Sequence, residues 1–333
     1  MPTKTATTAK TEKKISRMLT LEVTRVTERA AVACAPLIGR GDEKAADQAA
    51  VDAMRRELNR LDIDGRVVIG EGERDEAPML YIGEEVGTGK GPKVDIALDP
   101  LEGTTLTAKG MNNALTVIAV AERGTLLNAP DTYMQKIAIG AGYPQGIVDL
   151  DVSPSENLRA LAKAKKVDVS QINVCILDRP RHADLIAEIR QAGGRVTLII
   201  DGDIAGVMHT TNPQTGIDMY MGIGGAPEGV LAAAALAATG GQMQGRLVSD
   251  DEAQKERARK MGIADFDHKY EAHEMAGGDV ILSVTGVTNG TLVKGVEWEG
   301  EAVWTDTMLL RSATGTIRWL RSRHASIDKF NPD

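Results

Sequence analysis

Residues 94–105 read Val94-Asp95-Ile96-Ala97-Leu98-Asp99-Pro100-Leu101-Glu102-Gly103-Thr104-Thr105. Apolar residues at 94, 96 and 98 alternate as in a β-strand, launched from the turn-rich Gly-Thr-Gly-Lys-Gly-Pro of 87–92. Pro100 has no N–H to give to a ladder, so the strand is expected to end just after Asp99. That end carries two carboxylates and, shortly after them, a hydroxyl. Such a set makes a half-site for a hard divalent cation such as Mg²⁺ or Mn²⁺. A turn whose acids satisfy backbone donors and open a helix accounts for the same residues.

The chain has 333 residues, enough for one large domain or two ordinary ones with a sizeable core. Aromatics make up only 3%, while glycines number 35, so the core must rely on aliphatic packing and close backbone approach. A formal charge of −8 argues against nucleic-acid binding but not against phosphorylated metabolites, provided local cations or a metal invert the field. Cys34 and Cys175 lie in apolar stretches and read as small buried hydrophobes rather than a disulfide framework. No apolar run reaches spanning length and no signal-peptide pattern is visible, so a cytoplasmic protein without a membrane partner is expected. Residues 1–13 are polar and aperiodic and read as a disordered tail.

Outward from the central stretch, helical spacing covers about Ile15–Ile38 and Glu43–Leu58, the second helix containing Asp47 among alanines. A mid-helix aspartate is ordinarily a solvated one, although small neighbours would let another group come close. The strand Val67–Ile69 runs into Gly70-Glu71-Gly72-Glu73-Arg74-Asp75-Glu76, whose crowded acids would repel one another unless a cation joined them. Ala114–Ala121 reads as a buried strand, with 125–129 as its hairpin partner. Beyond a helix from Pro154 to Val167, strands and helices alternate: strands at Ile172–Leu177, Arg195–Ile200 and Ile217–Ile223, helices at Pro180–Ala192, Ile204–His209 and Pro227–Thr239. That rhythm predicts a mostly parallel second sheet. The short strands Val280–Thr285, Thr291–Val296, Ala302–Thr305 and Ile317–Leu320 are expected as an antiparallel addition to it. The expected units are a metal-binding one over 14–168 and an α/β substrate-binding one over 169–333.

Each strand of the second unit ends in a polar cluster, where α/β folds place ligands. Arg179-Pro180-Arg181 suits a phosphate, or else surface ion pairs. Asp201-Gly202-Asp203 follows. Gly222–Gly229 offers glycine N–H groups and a helix start at Pro227 that favours an anion, with Glu228 in the first turn able to serve the dipole or reach a metal. Together, Asp47, Glu71, Asp75, Asp99, Glu102, Thr104 and Glu228 form an all-oxygen set facing a phosphate pocket. Carboxylate-held metals that activate water and clamp the attacking and leaving oxygens can hydrolyse a phosphate ester without a protein nucleophile.

Asp99-Pro100-Leu101-Glu102-Gly103-Thr104 resembles the D-P-x-(D/E)-G-T signature of metal-dependent, lithium-sensitive sugar phosphatases. With Gly41–Asp47, Val68–Gly83, Asn128–Tyr133, Arg179–His182, Asp201–Asp203 and Gly222–Gly229, the chain from about residue 16 onward resembles the class II fructose-1,6-bisphosphatases. The resemblance implies a layered αβαβα fold and a homodimer or homotetramer. It implies Mn²⁺ or Mg²⁺, with Asp47 and Glu71 on one ion and Asp99, Glu102 and Glu228 on the other. Thr104 would position the attacking water, with Asp75 as its acidic partner. Glu102, Gly103, Thr104, Tyr133, Arg179, Pro180, Arg181, Asp201, Gly202, Asp203 and Gly225 would contact a sugar bisphosphate. The implied reaction is hydrolysis of fructose 1,6-bisphosphate, in a gluconeogenic or Calvin-cycle type of role. Sedoheptulose 1,7-bisphosphate, an inositol monophosphate or a non-catalytic sugar-phosphate sensor are the rivals. One departure is Glu43, where relatives carry lysine, with Lys44 next.

Overall fold

The computed structural model describes residues 14–72 and 79–330. Two helices open it. α1 (Arg17–Cys34) is capped by Ser16, whose side chain accepts the Leu19 N–H, and α2 (Glu43–Leu58) is capped in the same way by Asp42. They bury Leu19, Val23, Val26, Ala46, Ala50 and Met54 against a sheet.

That first sheet begins with β1 (Asp64–Ile69), β2 (Glu85–Val86), β3 (Lys93–Glu102) and β4 (Leu115–Glu122). The chain then passes through the short helix α3 (Thr104–Ala108), before β4, and builds a second sheet from β5 (Tyr133–Ile139), β6 (Asn173–Leu177), β7 (Arg195–Ile199), β8 (Met219–Gly225), β9 (Gln242–Val248) and β10 (Tyr270–Glu271). Between these strands run α4 (Pro154–Lys165), α5 (Ala183–Gln191), α6 (Asp203–His209), α7 (Ala226–Thr239) and α8 (Glu252–Lys260), and α9 (Ala272–Met275) follows β10. Finally β11 (Ile281–Gly286), β12 (Glu297–Glu299), β13 (Ala302–Arg311) and β14 (Thr316–His324) return to the first sheet. Its order is β12-β13-β11-β4-β3-β1-β2, with β14 also on β13; the second sheet runs β10-β9-β5-β8-β6-β7.

The layering follows from side-chain alternation. On β4, Leu115, Val117, Ala119 and Ala121 pack into the layer between the sheets, while Ile118 and Val120 pack toward α1 and α2. α7 is apolar on every side, from Val230 and Leu231 through four alanines to Leu236, which is the composition of a helix enclosed between two sheets. On the far side of the second sheet, Ile137, Ile139, Val174, Ile176 and Met219 bury Leu158 and Leu161 of α4 and Ile186 and Ile189 of α5. The result is the expected αβαβα stack, an α/β fold.

Several details differ from the sequence-based expectation. The C-terminal strands do not extend the second sheet: β11 pairs antiparallel with β4 and β13, in the first. Sheet membership therefore changes between Glu122 and Tyr133 and again between Glu271 and Ile281, not at residue 168. The second sheet is mixed rather than mostly parallel, because β5 enters it antiparallel to both β8 and β9. The 125–129 segment forms no hairpin with β4; Leu126 makes a single bridge to Ala276. Residues 291–296 precede β12 without forming a strand. The tail at 1–13 and Asp75 lie outside the described residues.

Candidate active site

The ladder does not stop at Pro100. β3 continues to Glu102, and a bulge intervenes: Asp99 opposes Val117, but Glu102 opposes Leu115. Three steps on β3 thus match two on β4. In a regular strand residues 99 and 102 would point to opposite faces. The bulge puts both carboxylates on the face of Val117 and Leu115, toward the layer between the sheets. Pro100, which lacks a ladder donor, occupies the irregular position. Asp99 accepts the Leu101 N–H at 3.0 Å, and Gly103, at φ +87°, turns the chain so that Thr104 starts α3.

Other elements deliver more carboxylates to the same place. A cavity of about 340 Å³ is lined by Asp47 from α2, Glu71 beyond β1, Asp99, Glu102, Gly103 and Thr104, Asp131, Asp201 and Glu228. Gly202, at φ +83°, caps α6, and the Ile204 N–H behind it donates to Glu102 Oε1 at 2.9 Å. Buried Asp203 pairs with the ammonium of Lys136 on β5. Glu228 folds back over its own helix cap: a Cβ on Gly225 would lie 1.8 Å from Glu228 Oε2. The start of α7 is therefore filled by the chain's own carboxylate rather than left open for an external anion.

Burial dominates the electrostatics. It pushes Glu71 up to about 8, helped by the charges of Asp47 and Asp99. Asp99 rises to about 6 and Glu228 to about 7 for the same first reason, with Asp203 adding to the latter. Glu102 is held well above the carboxylate range by burial and by Asp99; Asp47 and Asp201 are raised chiefly by burial. Glu228 Oε2 is buried with no hydrogen-bond partner among the described residues. Crowded, desolvated carboxylates with an orphaned oxygen are the environment a divalent cation relieves. Among the described residues, no three such side chains close into a ready coordination cage.

The arginines lie apart. Neither Arg179 nor Arg181 lines the carboxylate cavity, and Pro180 and Tyr133 do not either. Arg181 donates Nε and Nη2 to the Ile223 carbonyl and stacks 4.8 Å over the Tyr133 ring. Arg179 donates to the neighbouring Asp178 carbonyl, and its charge is felt by Asp201. His182 locks the segment in place: Nδ1 meets the Leu177 carbonyl at 2.7 Å, and Nε2 accepts the Ile223 N–H at 2.8 Å.

The family model described as bacterial fructose-1,6-bisphosphatase, glpX-encoded, matches residues 17–324. The chain belongs to this family. Among curated relatives in it, fructose-1,6-bisphosphatase 1 class 2 of Escherichia coli is 46% identical over 331 residues, covering 95% of this chain and 98% of the relative. D-fructose 1,6-bisphosphatase class 2/sedoheptulose 1,7-bisphosphatase of a Synechococcus species is 45% identical over 331 residues, covering 92% and 95%. The solved inositol monophosphatase from Anabaena (Nostoc) is similar at 12% identity and a TM-score of 0.31, over 58% of this chain and 71% of that one.

For this family member, the structure gathers Asp47, Glu71, Asp99, Glu102, Gly103, Thr104, Asp201 and Glu228 around one cavity, with Gly202, Asp203 and Gly225 directly behind it. Sequence reasoning missed two neighbours. Asp131 lines the cavity from the loop before β5. Lys136 is 1% exposed on a strand that was not anticipated, and the signal for it was a lysine placed between apolar residues at 134 and 138.

Proposed function

We propose that this chain hydrolyses the 1-phosphate of fructose 1,6-bisphosphate, giving fructose 6-phosphate and inorganic phosphate, with Mn²⁺ or Mg²⁺ held by its carboxylates. The observation that carries this is the β3 bulge, which turns Asp99 and Glu102 to one face immediately before Thr104, in a cavity shared with Asp47, Glu71 and Glu228. The donors are all oxygens, raised in pKa by burial and including the orphaned Glu228 Oε2, and they fit a hard divalent cation. Asp47 and Glu71 would hold one ion and Asp99, Glu102 and Glu228 another. When bound, such ions supply Lewis-acid activation of water and neutralise charge on the phosphoryl group.

The protein's own part is placement. Thr104, fixed at the start of α3 by Gly103, presents its hydroxyl to orient the attacking water, with Asp75 proposed as its proton acceptor. Asp201, which lines the cavity, and the Gly202–Asp203 turn behind it would contact the sugar. Arg179, beside Asp201, holds the distal phosphate, and Arg181 on Tyr133 supports that segment. A bisphosphate uses the Arg179 cation, which a monophosphate leaves idle. Sedoheptulose 1,7-bisphosphate is a second substrate on this reading, supported by the name of the Synechococcus relative. A homo-oligomer is part of this reading on the family resemblance alone. No helix among the described residues is long and apolar enough to cross a membrane, which suits a cytoplasmic enzyme.

The test is product identification. Fructose 1,6-bisphosphate is incubated with the full chain and Mn²⁺, Mg²⁺ or EDTA, and the sugar product is identified by ³¹P NMR. Fructose 6-phosphate formed only with a divalent cation supports the proposal. Fructose 1-phosphate as product, or no turnover with either ion, contradicts it.

A further inference from the structure

Lys136 is enclosed between the two sheets at 1% exposure, and its ammonium makes two bonds. One goes to Asp203, the first residue of α6; the other, at 2.8 Å, goes to the carbonyl of Gly225, the cap of α7. The next residue along α6, Ile204, donates its N–H to Glu102, and the first turn of α7 carries Glu228. A single side chain on β5 thus ties together the starts of the two helices that meet two of the proposed cation ligands.

The surrounding glycines make room for this tie. A Cβ on Gly224 would lie 2.0 Å from Asp203 Oδ2 and 3.1 Å from Lys136 Nζ. A Cβ on Gly229 would lie 2.6 Å from Met134 Sδ and 3.4 Å from the Lys136 stem. Gly224 is thereby explained by close packing against the buried ion pair, and Gly229 by close packing against Met134 and the lysine stem.

We propose that Lys136 is a positioning residue for the carboxylate centre: by linking Asp203 to the Gly225 carbonyl it sets where Glu102 and Glu228 stand relative to one another. The inference rests on the metal-centre reading above. It also commits to a sign. If Lys136 acted only through its charge, removing it from among so many carboxylates would tighten cation binding. Acting by placement, its removal weakens binding.

Mn²⁺ binding to the full-length chain, without substrate, is measured by titration calorimetry for the wild type, Lys136→Met, and Lys136→Met with Asp203→Asn. The double variant leaves no unpaired buried charge and guards against simple unfolding of the single one. Cooperative thermal unfolding checks that each is folded. The expected result is Mn²⁺ binding weaker by about 10- to 100-fold in every folded variant, with a parallel rise in the Mn²⁺ concentration needed for phosphate release. Unchanged or tighter binding in a folded variant overturns the proposal. Failure of both variants to fold overturns it too, because the pair is then a stability element alone. A wild type that binds no Mn²⁺ removes the metal-centre reading itself, and this inference falls with it.

Discussion

Glu102 Oε1 accepts the backbone N–H of Ile204 at 2.9 Å, so a carboxylate on the first sheet is also the strut that seats α6. The two duties separate by substitution. Glu102→Gln keeps an acceptor oxygen and should unfold near the wild-type temperature. Glu102→Ala leaves a buried N–H unpaired and should lose about 1–3 kcal/mol. Both should lose phosphatase activity by about 100-fold or more. Thermal unfolding and phosphate release on the same preparations check this; a Gln variant with near-normal activity would remove Glu102 from the metal site.

Gly225→Ala is expected to be damaging for a local reason. Its Cβ would fall on Glu228 Oε2, and its three nearest atoms all belong to that carboxyl group, so the carboxylate is the group that moves. Loss of metal-dependent activity by about 10- to 100-fold, with a modest change in unfolding temperature, is the predicted outcome. Gly300→Ala on the β12–β13 turn, where nothing lies within 4 Å but φ is +61°, is a control that should cost some stability and no activity.

The raised carboxylates give the metal-free protein a signed pH dependence. Folding holds protons on Glu71 up to about 8, on Glu228 to about 7 and on Asp99 to about 6, whereas the unfolded chain releases them at ordinary carboxyl values. The folded state therefore binds more protons, and the stability these groups contribute is full below about pH 4, where the unfolded carboxyls titrate, and is lost between there and about pH 8. With EDTA, the unfolding midpoint should fall across that window. Mn²⁺, which competes with those protons, should raise the midpoint most at the alkaline end. A midpoint that rises with pH in EDTA would contradict the account.

Arg179 and Arg181 should differ. Arg179 spends one bond on its neighbour's carbonyl, while Arg181 is committed to Ile223 and Tyr133. Arg179→Ala should raise KM for fructose 1,6-bisphosphate by about tenfold or more with a smaller change in kcat. Hydrolysis of a simple aryl monophosphate should be little affected. Equal losses on both substrates would place Arg179 in the chemistry instead.

The proposed ligands were legible because chemistry clusters along the chain. Asp99, Glu102 and Thr104 fall within six residues of sequence and Glu71 lies between two glycines, so none of them needed the fold to be noticed. Their shared face was not legible: only the two-for-three register against β4 shows it, and Pro100 read as a strand end is half of that story. Sheet membership was also hidden. β11 finds its partner β4 about 160 residues away, and no local periodicity says which of two sheets a strand will join. β5 and β9 were overlooked because Gln135, Lys136, Gln242, Gln244 and Gly245 break the apolar pattern. Lys136 escaped with them, since a buried lysine is expected only once its partner Asp203 is in view.

The most direct test of the central claim is phosphate release from fructose 1,6-bisphosphate by the wild type and Thr104→Ala at saturating Mn²⁺, with Mn²⁺ affinity measured for both. The account predicts cation-dependent release that falls by about 10²-fold or more in the variant, with cation binding preserved. Full activity in Thr104→Ala, or release that persists in EDTA, would contradict it.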